Sequence, residues 1–214
     1  MVRGKLTARV VRRRCRWRMF SGRDRIGLDR GSRMRIAAIV LGVLCLLGGG
    51  LILWLRPMVE GPPVFTIEHE LEFAGSPSEV WDVFMDAARY ADWNPYLLEL
   101  TGELRDGGEI EILIIQQNWD EPMRLTETVV DIDPPVSLHW RGSLAPAGFF
   151  QTDHSFRIES IGADRVRFTQ REEFRGKLAE YFDDEWKGHT QRAFRAMDEA
   201  LARRVEERRG SEAD

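Results

Sequence analysis

The stretch Ser76–Tyr96, SPSEVWDVFMDAARYADWNPY, decides the fold. Its first residues write out a helix start: Ser76 offers an oxygen to a free backbone N–H, Pro77 suits the first helical position, and Glu79 completes a capping box. Val80, Trp81, Phe84 and Ala87/Ala88 recur at helical spacing and form one apolar stripe. Trp93-Asn94-Pro95 closes the run, because proline disfavours helix in the residue before it. A helix with one apolar face, followed by an aromatic turn, needs a broad apolar surface to lie on.

The flanking sequence supplies that surface. On the N-terminal side Val64–Phe73 alternates: Phe65, Ile67, His69, Leu71 and Phe73 share one face, and Thr66, Glu68, Glu70 and Glu72 the other. On the C-terminal side strands are predicted over residues 97–104, 109–117, 123–132, 136–144, 151–159 and 165–175. Asp106-Gly107-Gly108, Pro134-Pro135, Pro146 with Gly148, and Gly162 mark turns between them. Leu178–Arg209 reads as one long helix with Phe182, Trp186, His189/Thr190, Ala193, Met197 and Leu201 on its apolar stripe. Residues 210–214 read as a polar tail.

Outward from this domain the chain changes character. Residues 56–63 (RPMVEGPP) form a short, stiff linker. Residues 36–55 (IAAIVLGVLCLLGGGLILWL) hold no charge, and at about 1.5 Å per residue they span roughly 30 Å, one bilayer core. Arg33, Arg35, Trp54 and Arg56 flank the run as interfacial anchors do. It is longer than the apolar part of a signal peptide and no small-x-small cleavage site follows. A single membrane anchor is therefore expected.

Residues 1–35 carry 13 Lys and Arg against two acids, which leaves 18 basic and 33 acidic residues in the remainder. The first segment reads as a basic, disordered tail that grips anionic lipid or nucleic acid, or as an upstream start with translation beginning at Met34. The charge bias places the N-terminus in the cytoplasm and exports the C-terminal domain; a start at Met34 nearly removes that bias. The acidic domain repels phosphate, which argues against nucleic-acid binding there. Cys15 and Cys45 both lie outside it, so it has no disulfide framework.

The element order is strand, helix pair, six antiparallel strands, long helix. Curling the sheet around the last helix buries both apolar faces and brings the first strand to the last. Outward charges favour this pairing: Arg167, Arg171 and Arg175 stand against Glu68, Glu70 and Glu72. At this point the chain resembles the START/polyketide-cyclase/birch-allergen superfamily (SRPBCC), and within it the polyketide cyclase/dehydrase-like branch. The resemblance runs through the opening stretch, VDIDPPVSLHWRG, DHSFRIE and RFTQREEFRG, and covers residues 64–209. It implies an α+β helix-grip fold: a curved antiparallel sheet of seven strands on a long C-terminal helix, with two short helices after the first strand. One transmembrane helix precedes it. Relatives include lipid carriers, hormone receptors, aromatase/cyclases and co-chaperones, so fold alone does not choose a function.

The resemblance also implies a cavity between sheet and helix, and strand parity says which polar groups face it. Thr152 and His154 share a face with Phe156 and Ile158; Gln170 and Glu172 share one with Val166, Phe168 and Phe174. If the end strands pair, His69, His154, Gln170 and Glu172 converge on one wall. Such a wall is a self-satisfied hydrogen-bond network, a ligand site, or an acid/base or metal site. Trp93, Tyr96, Trp140, Phe149, Phe150 and Trp186 are the aromatic candidates, with Tyr96, Phe149 and Phe150 in connections where a mouth would open. No Ser/His/Asp triad, Gly-rich phosphate loop or Cys/His metal spacing occurs, so no cofactor or metal is expected. The expected function is binding of a small hydrophobic or lipid-like molecule by a membrane-anchored domain. The alternatives are a cyclase/dehydrase-type enzyme with His154 and Glu172 as acid/base pair, or an acidic, co-chaperone-like interaction module.

Overall fold

The structure, a computed structural model, describes residues 30–55, 57–116, 118–144 and 148–213. Nearly all of the Arg-rich tail, and Pro146, lie outside the described residues. The chain divides into two units at residues 45 and 46, within the first helix, and each is taken by itself. Helix α1 (Arg30–Leu55) is long and apolar enough, over Ala37–Trp54, to cross a membrane, and none of that window is buried. Within the second unit one further helical turn, α2 (Pro57–Glu60), occupies part of the expected linker.

The second unit is a seven-stranded antiparallel sheet in the order β1-β7-β6-β5-β4-β3-β2. The strands are β1 (Phe65–Ala74), β2 (Leu97–Gly102), β3 (Glu109–Ile114), β4 (Met123–Asp133), β5 (Ser137–Leu144), β6 (Phe150–Gly162) and β7 (Arg165–Arg175). Between β1 and β2 lie α3 (Pro77–Phe84), a 3-10 turn (Ala87–Arg89) and α4 (Tyr90–Trp93). After β7 a second 3-10 turn (Lys177–Tyr181) leads into α5 (Asp184–Ala213), which lies against β1 and α3.

The opening stretch forms as its side chains dictate. Glu79 N–H donates to Ser76 Oγ at 3.3 Å while Ser76 N–H donates to Glu79 Oε2 at 2.7 Å, closing the capping box. Val80, Trp81, Val83 and Phe84 are buried. After Trp93 the chain turns because Asn94 Oδ1 accepts from Tyr96 N–H at 3.0 Å and Leu97 N–H at 2.9 Å, which starts β2.

The first strand does pair with the last, in the register Ile67↔Glu172, His69↔Gln170 and Leu71↔Phe168. On the outer face Arg167 meets Glu72 at 2.7 Å and Arg171 meets Glu68 at 2.6 Å. Arg175 turns elsewhere, to Asp153 at 2.7 Å and to Glu173. The C-terminal helix departs from the expected 178–209. It starts at Asp184 because Asp183 Oδ1 accepts from Trp186 N–H at 2.8 Å, a side-chain cap, and it continues past Arg209 to Ala213.

Phe84 is fully buried where α3 meets the sheet, with Phe156 at 4.8 Å and Phe168 at 5.6 Å between ring centroids. Phe84→Ala is expected to cost about 3–5 kcal/mol, read as a lower urea midpoint by near-UV circular dichroism.

Candidate functional site

Antiparallel register carries the inner faces of five strands into shared rows. One row runs Glu127 (β4), Gly142 (β5), Thr152 (β6), Phe174 (β7), Phe65 (β1); the next runs Val129, Trp140, His154, Glu172, Ile67. A third holds Leu138, Phe156, Gln170 and His69. Two carboxyls, two imidazoles, an amide and a hydroxyl therefore interrupt an aromatic and aliphatic wall.

His154 is the centre of this wall. It is buried, with its ring stacked on Phe156 at 4.5 Å and on Phe194 of α5 at 5.0 Å, and Trp140 stands edge-on at 5.4 Å. Gln170 Nε2 donates to its Nε2 at 3.0 Å, so the proton sits on Nδ1, which points to Glu172 Oε2 at 3.9 Å. Burial, aided by the charge of His139, holds His154 down to about 3, so the ring is neutral near pH 7. The 3.9 Å approach is thus neither an ion pair nor a hydrogen bond.

The two carboxyls are raised. Burial pushes Glu127 up to about 8. Burial, then the nearby Glu127, push Glu172 up to about 8 against a hydrogen bond with Thr152. Burial and the same two acids lift the Tyr96 phenol well above its ordinary value. Among the described residues no lysine or arginine bonds to Glu127 or Glu172. Glu172 keeps 12% of its side-chain surface exposed. Glu127 Oε2 and Gln170 Oε1 are buried without a hydrogen-bond partner, as is Gln116 Oε1, whose Nε2 donates to Thr190 Oγ1 of α5 at 3.0 Å. Each unpaired buried acceptor costs about 1–3 kcal/mol.

The candidates from sequence distribute as follows. His154, Gln170, Glu172 and Trp140 share the wall, and Tyr96 faces Phe194 at 5.6 Å. Tyr96 was expected in an open connection, yet it is buried, because the Asn94 turn directs it inward at the start of β2. His69 lies opposite Gln170, but its Nδ1 meets Asp198 Oδ2 of α5 at 2.6 Å, clamping sheet to helix. Burial raises Asp198 to about 6 despite this bond. Phe150 and Trp186 belong to an aromatic layer with Phe65, Phe174 and Phe182, Trp186 stacking on Phe182 at 4.2 Å. Phe149 offers its backbone oxygen to Leu178 N–H at 3.0 Å, and Trp93 packs edge-on against Tyr90 at 5.7 Å. Glu127, Gly142 and Asp198 were missed. Parity in LTETVV puts Glu127 with Leu125 and Val129, and Asp198 stands four residues after Phe194, so both signals were present.

The outer face behaves oppositely. A groove of about 910 Å³ there is lined by Gly61, His139, Arg141, Gln151, Asp153 and Arg175 among others. Asp153 accepts from Arg141 at 2.8 Å, Gln151 at 2.9 Å, Arg175 at 2.7 Å and His139 at 3.1 Å. Burial alone would raise its carboxyl, but bonds from His139, Gln151 and Arg141 hold it well below the usual range. Its charge is already answered, which leaves the inner wall as the candidate site.

Two outcomes follow from this geometry. A Cβ on Gly142 would stand 2.4 Å from Glu127 Oε2. Gly142→Ala is therefore expected to cost about 1–3 kcal/mol in the wild-type chain and near zero in a Glu127→Ala background, measured as a double-mutant cycle by urea denaturation. Second, acids whose folded pKa lies above the unfolded value stabilise the fold below the unfolded value and lose that contribution as pH rises through the folded one. Glu127 and Glu172, raised from 4.5 to about 8, should make the unfolding midpoint fall between about pH 6.5 and 8.5. Asp198 is largely ionised in both states by then, and the unfolded-state imidazole of His154, ordinarily near 6.5, opposes the fall only at the lower edge of this window. The Glu127→Gln/Glu172→Gln double variant should flatten that slope in thermal unfolding.

Comparison with known proteins sets this geometry in a family. No curated protein matches the sequence. The fold of the Zhui aromatase/cyclase from Streptomyces sp. R1128 aligns with a TM-score of 0.53 at 19% identity, covering 67% of this chain and 94% of that one. A START superfamily protein from Mycobacterium smegmatis aligns with a TM-score of 0.53 at 16% identity, covering 66% and 97%. A hypothetical protein from Helicobacter pylori gives 0.55 at 15%, covering 70% and 93%. At these identities the likeness is one of fold. The sequence profile described as polyketide cyclase/dehydrase and lipid transport matches residues 64–206, two thirds of the chain. The chain belongs to that family, within the SRPBCC superfamily.

Proposed function

We propose that this chain is a membrane-tethered binding protein that holds a small hydrophobic or lipid-like molecule between the inner wall of its sheet and α5. One observation carries the reading: Glu127 and Glu172 lie inside an aromatic wall with no cationic partner among the described residues, beside unpaired acceptors, and Glu172 is still partly exposed. A ligand that brings its own polar end would satisfy these groups while its apolar body covers Trp140, Tyr96 and Phe194. The family description, which joins cyclase/dehydrase chemistry with lipid transport, is consistent with an enclosed apolar guest.

The tether is residues 36–55, with the N-terminus cytoplasmic and residues 64–209 exported as the binding domain. The linker of residues 56–63 limits the reach from the bilayer to about 26–29 Å fully extended. That keeps the domain within a molecular length of the lipid surface. The acidic docking alternative has less to work with, because Glu68, Glu72, Asp153 and Glu173 on the sheet's outer face are paired with arginines.

The test uses the full chain purified from membranes. After alkaline extraction it is expected to remain in the membrane pellet, and native mass spectrometry should show a bound small molecule in about one-to-one ratio. Thr152→Phe, which fills the wall beside Glu172 and leaves α1 untouched, should abolish the adduct while any lipid held by α1 stays. An adduct unchanged by Thr152→Phe, or a chain released by alkaline extraction, would contradict the proposal.

A further inference from the structure

The inner wall is asymmetric in its hydrogen-bonding chemistry. Among the described residues the buried side-chain atoms without a hydrogen-bond partner are four oxygens, Glu127 Oε2, Gln170 Oε1, Gln116 Oε1 and Asp198 Oδ1, and one donor, Asn94 Nδ2. Glu127 raises Glu172 and both act on Tyr96, and the two imidazoles on the wall are already engaged: His154 is neutral and accepts a bond from Gln170, and His69 is bonded to Asp198. Across the sheet the arrangement is reversed: Asp153, Glu68, Glu72 and Glu173 each have an arginine. The chain thus supplies guanidinium groups to the outer acids and none, among the described residues, to the inner pair. Trp140, Tyr96 and Phe194 add ring faces, which attract cations.

We propose that the ligand's polar end is an ammonium group, so that the molecule held by this wall is an amine-bearing amphiphile. The inference rests on the internal-ligand reading above and narrows it to a chemical class. An alkylammonium brings up to three N–H donors to the unpaired oxygens of this wall and a positive charge that either carboxyl can meet by giving up its proton. A carboxylate ligand would add a third acid to the same wall, and an alcohol brings one donor and no charge. When the ammonium docks, one carboxyl gives its proton to solvent and the pair becomes a carboxylate–ammonium contact. The titratable groups facing this event are Tyr96, Glu127, His154 and Glu172. His69 and Asp198 are bonded to each other, and His189 of α5 turns toward Glu185 at 3.8 Å.

The experiment titrates the full chain in phosphatidylcholine nanodiscs with hexylamine, 1-hexanol and hexanoate by calorimetry near pH 7, with empty nanodiscs as blank. Phosphate and HEPES buffers, which differ in ionisation heat, reveal proton release. Hexylamine is expected to bind at least about tenfold more tightly than the other two and to release about one proton. Glu127→Gln/Glu172→Gln should remove the preference for hexylamine over hexanol and abolish the proton release. Hexanol or hexanoate binding as tightly as hexylamine would overturn the amine assignment and leave the internal site standing. Binding of none of the three would overturn both readings.

Discussion

Everything in the second unit depends on β1 pairing with β7. That closure brings residues 65–74 to residues 165–174 and makes one face of the sheet concave. It places His69 against α5, where Asp198 holds it, and so locks the helix into the curl. It also divides the acids of the sheet into two populations. Glu68 and Glu72, on odd steps from the inner residues, meet arginines in solvent, where such pairs contribute little stability. Glu127 and Glu172, on the inner parity, share their face with rings and have no arginine or lysine partner among the described residues, and Glu127 raises Glu172. The same alternation that builds the strand therefore builds the chemistry of the wall.

A buried acid pair without a counter-charge is not a device for stability. Two carboxyls kept protonated by burial offset part of what Phe84, Phe156 and Phe168 contribute beside them. Gly142 shows how closely the site is shaped, since only a residue without a side chain leaves space for the Glu127 carboxyl. Asp198 is also buried with a raised pKa, yet it has His69 as partner and a plain structural task. Asp198 therefore serves the fold, while the described residues supply no counter-charge to Glu127 or Glu172.

Much of this was legible in the residues. The capping box at Ser76, the alternation of residues 64–73 and the matching charges of β1 and β7 are local signals, and each led to the right element. Parity likewise put His154, Gln170 and Glu172 on one face. Two kinds of feature were harder to read. Glu127 looks like surface because acids usually are, and its burial depends on the inner face of the curled sheet being covered, which the sequence of β4 does not show. The partner of His69 lies 129 residues away on a helix whose rotation strand parity cannot give. The start of α5 was misplaced because an apolar stripe says which face is buried and leaves the end to a cap, here Asp183.

The raised pKa values mean that Glu127 and Glu172 carry their protons inside the fold at neutral pH. Infrared difference spectroscopy of the protonated carboxyl stretch, on the full chain in nanodiscs across pH 4 to 10, measures this directly. A carboxyl signal that persists through neutrality, titrates near pH 8 and disappears in Glu127→Gln/Glu172→Gln is expected. A signal already lost by about pH 5, as for carboxyls in water, would contradict that expectation.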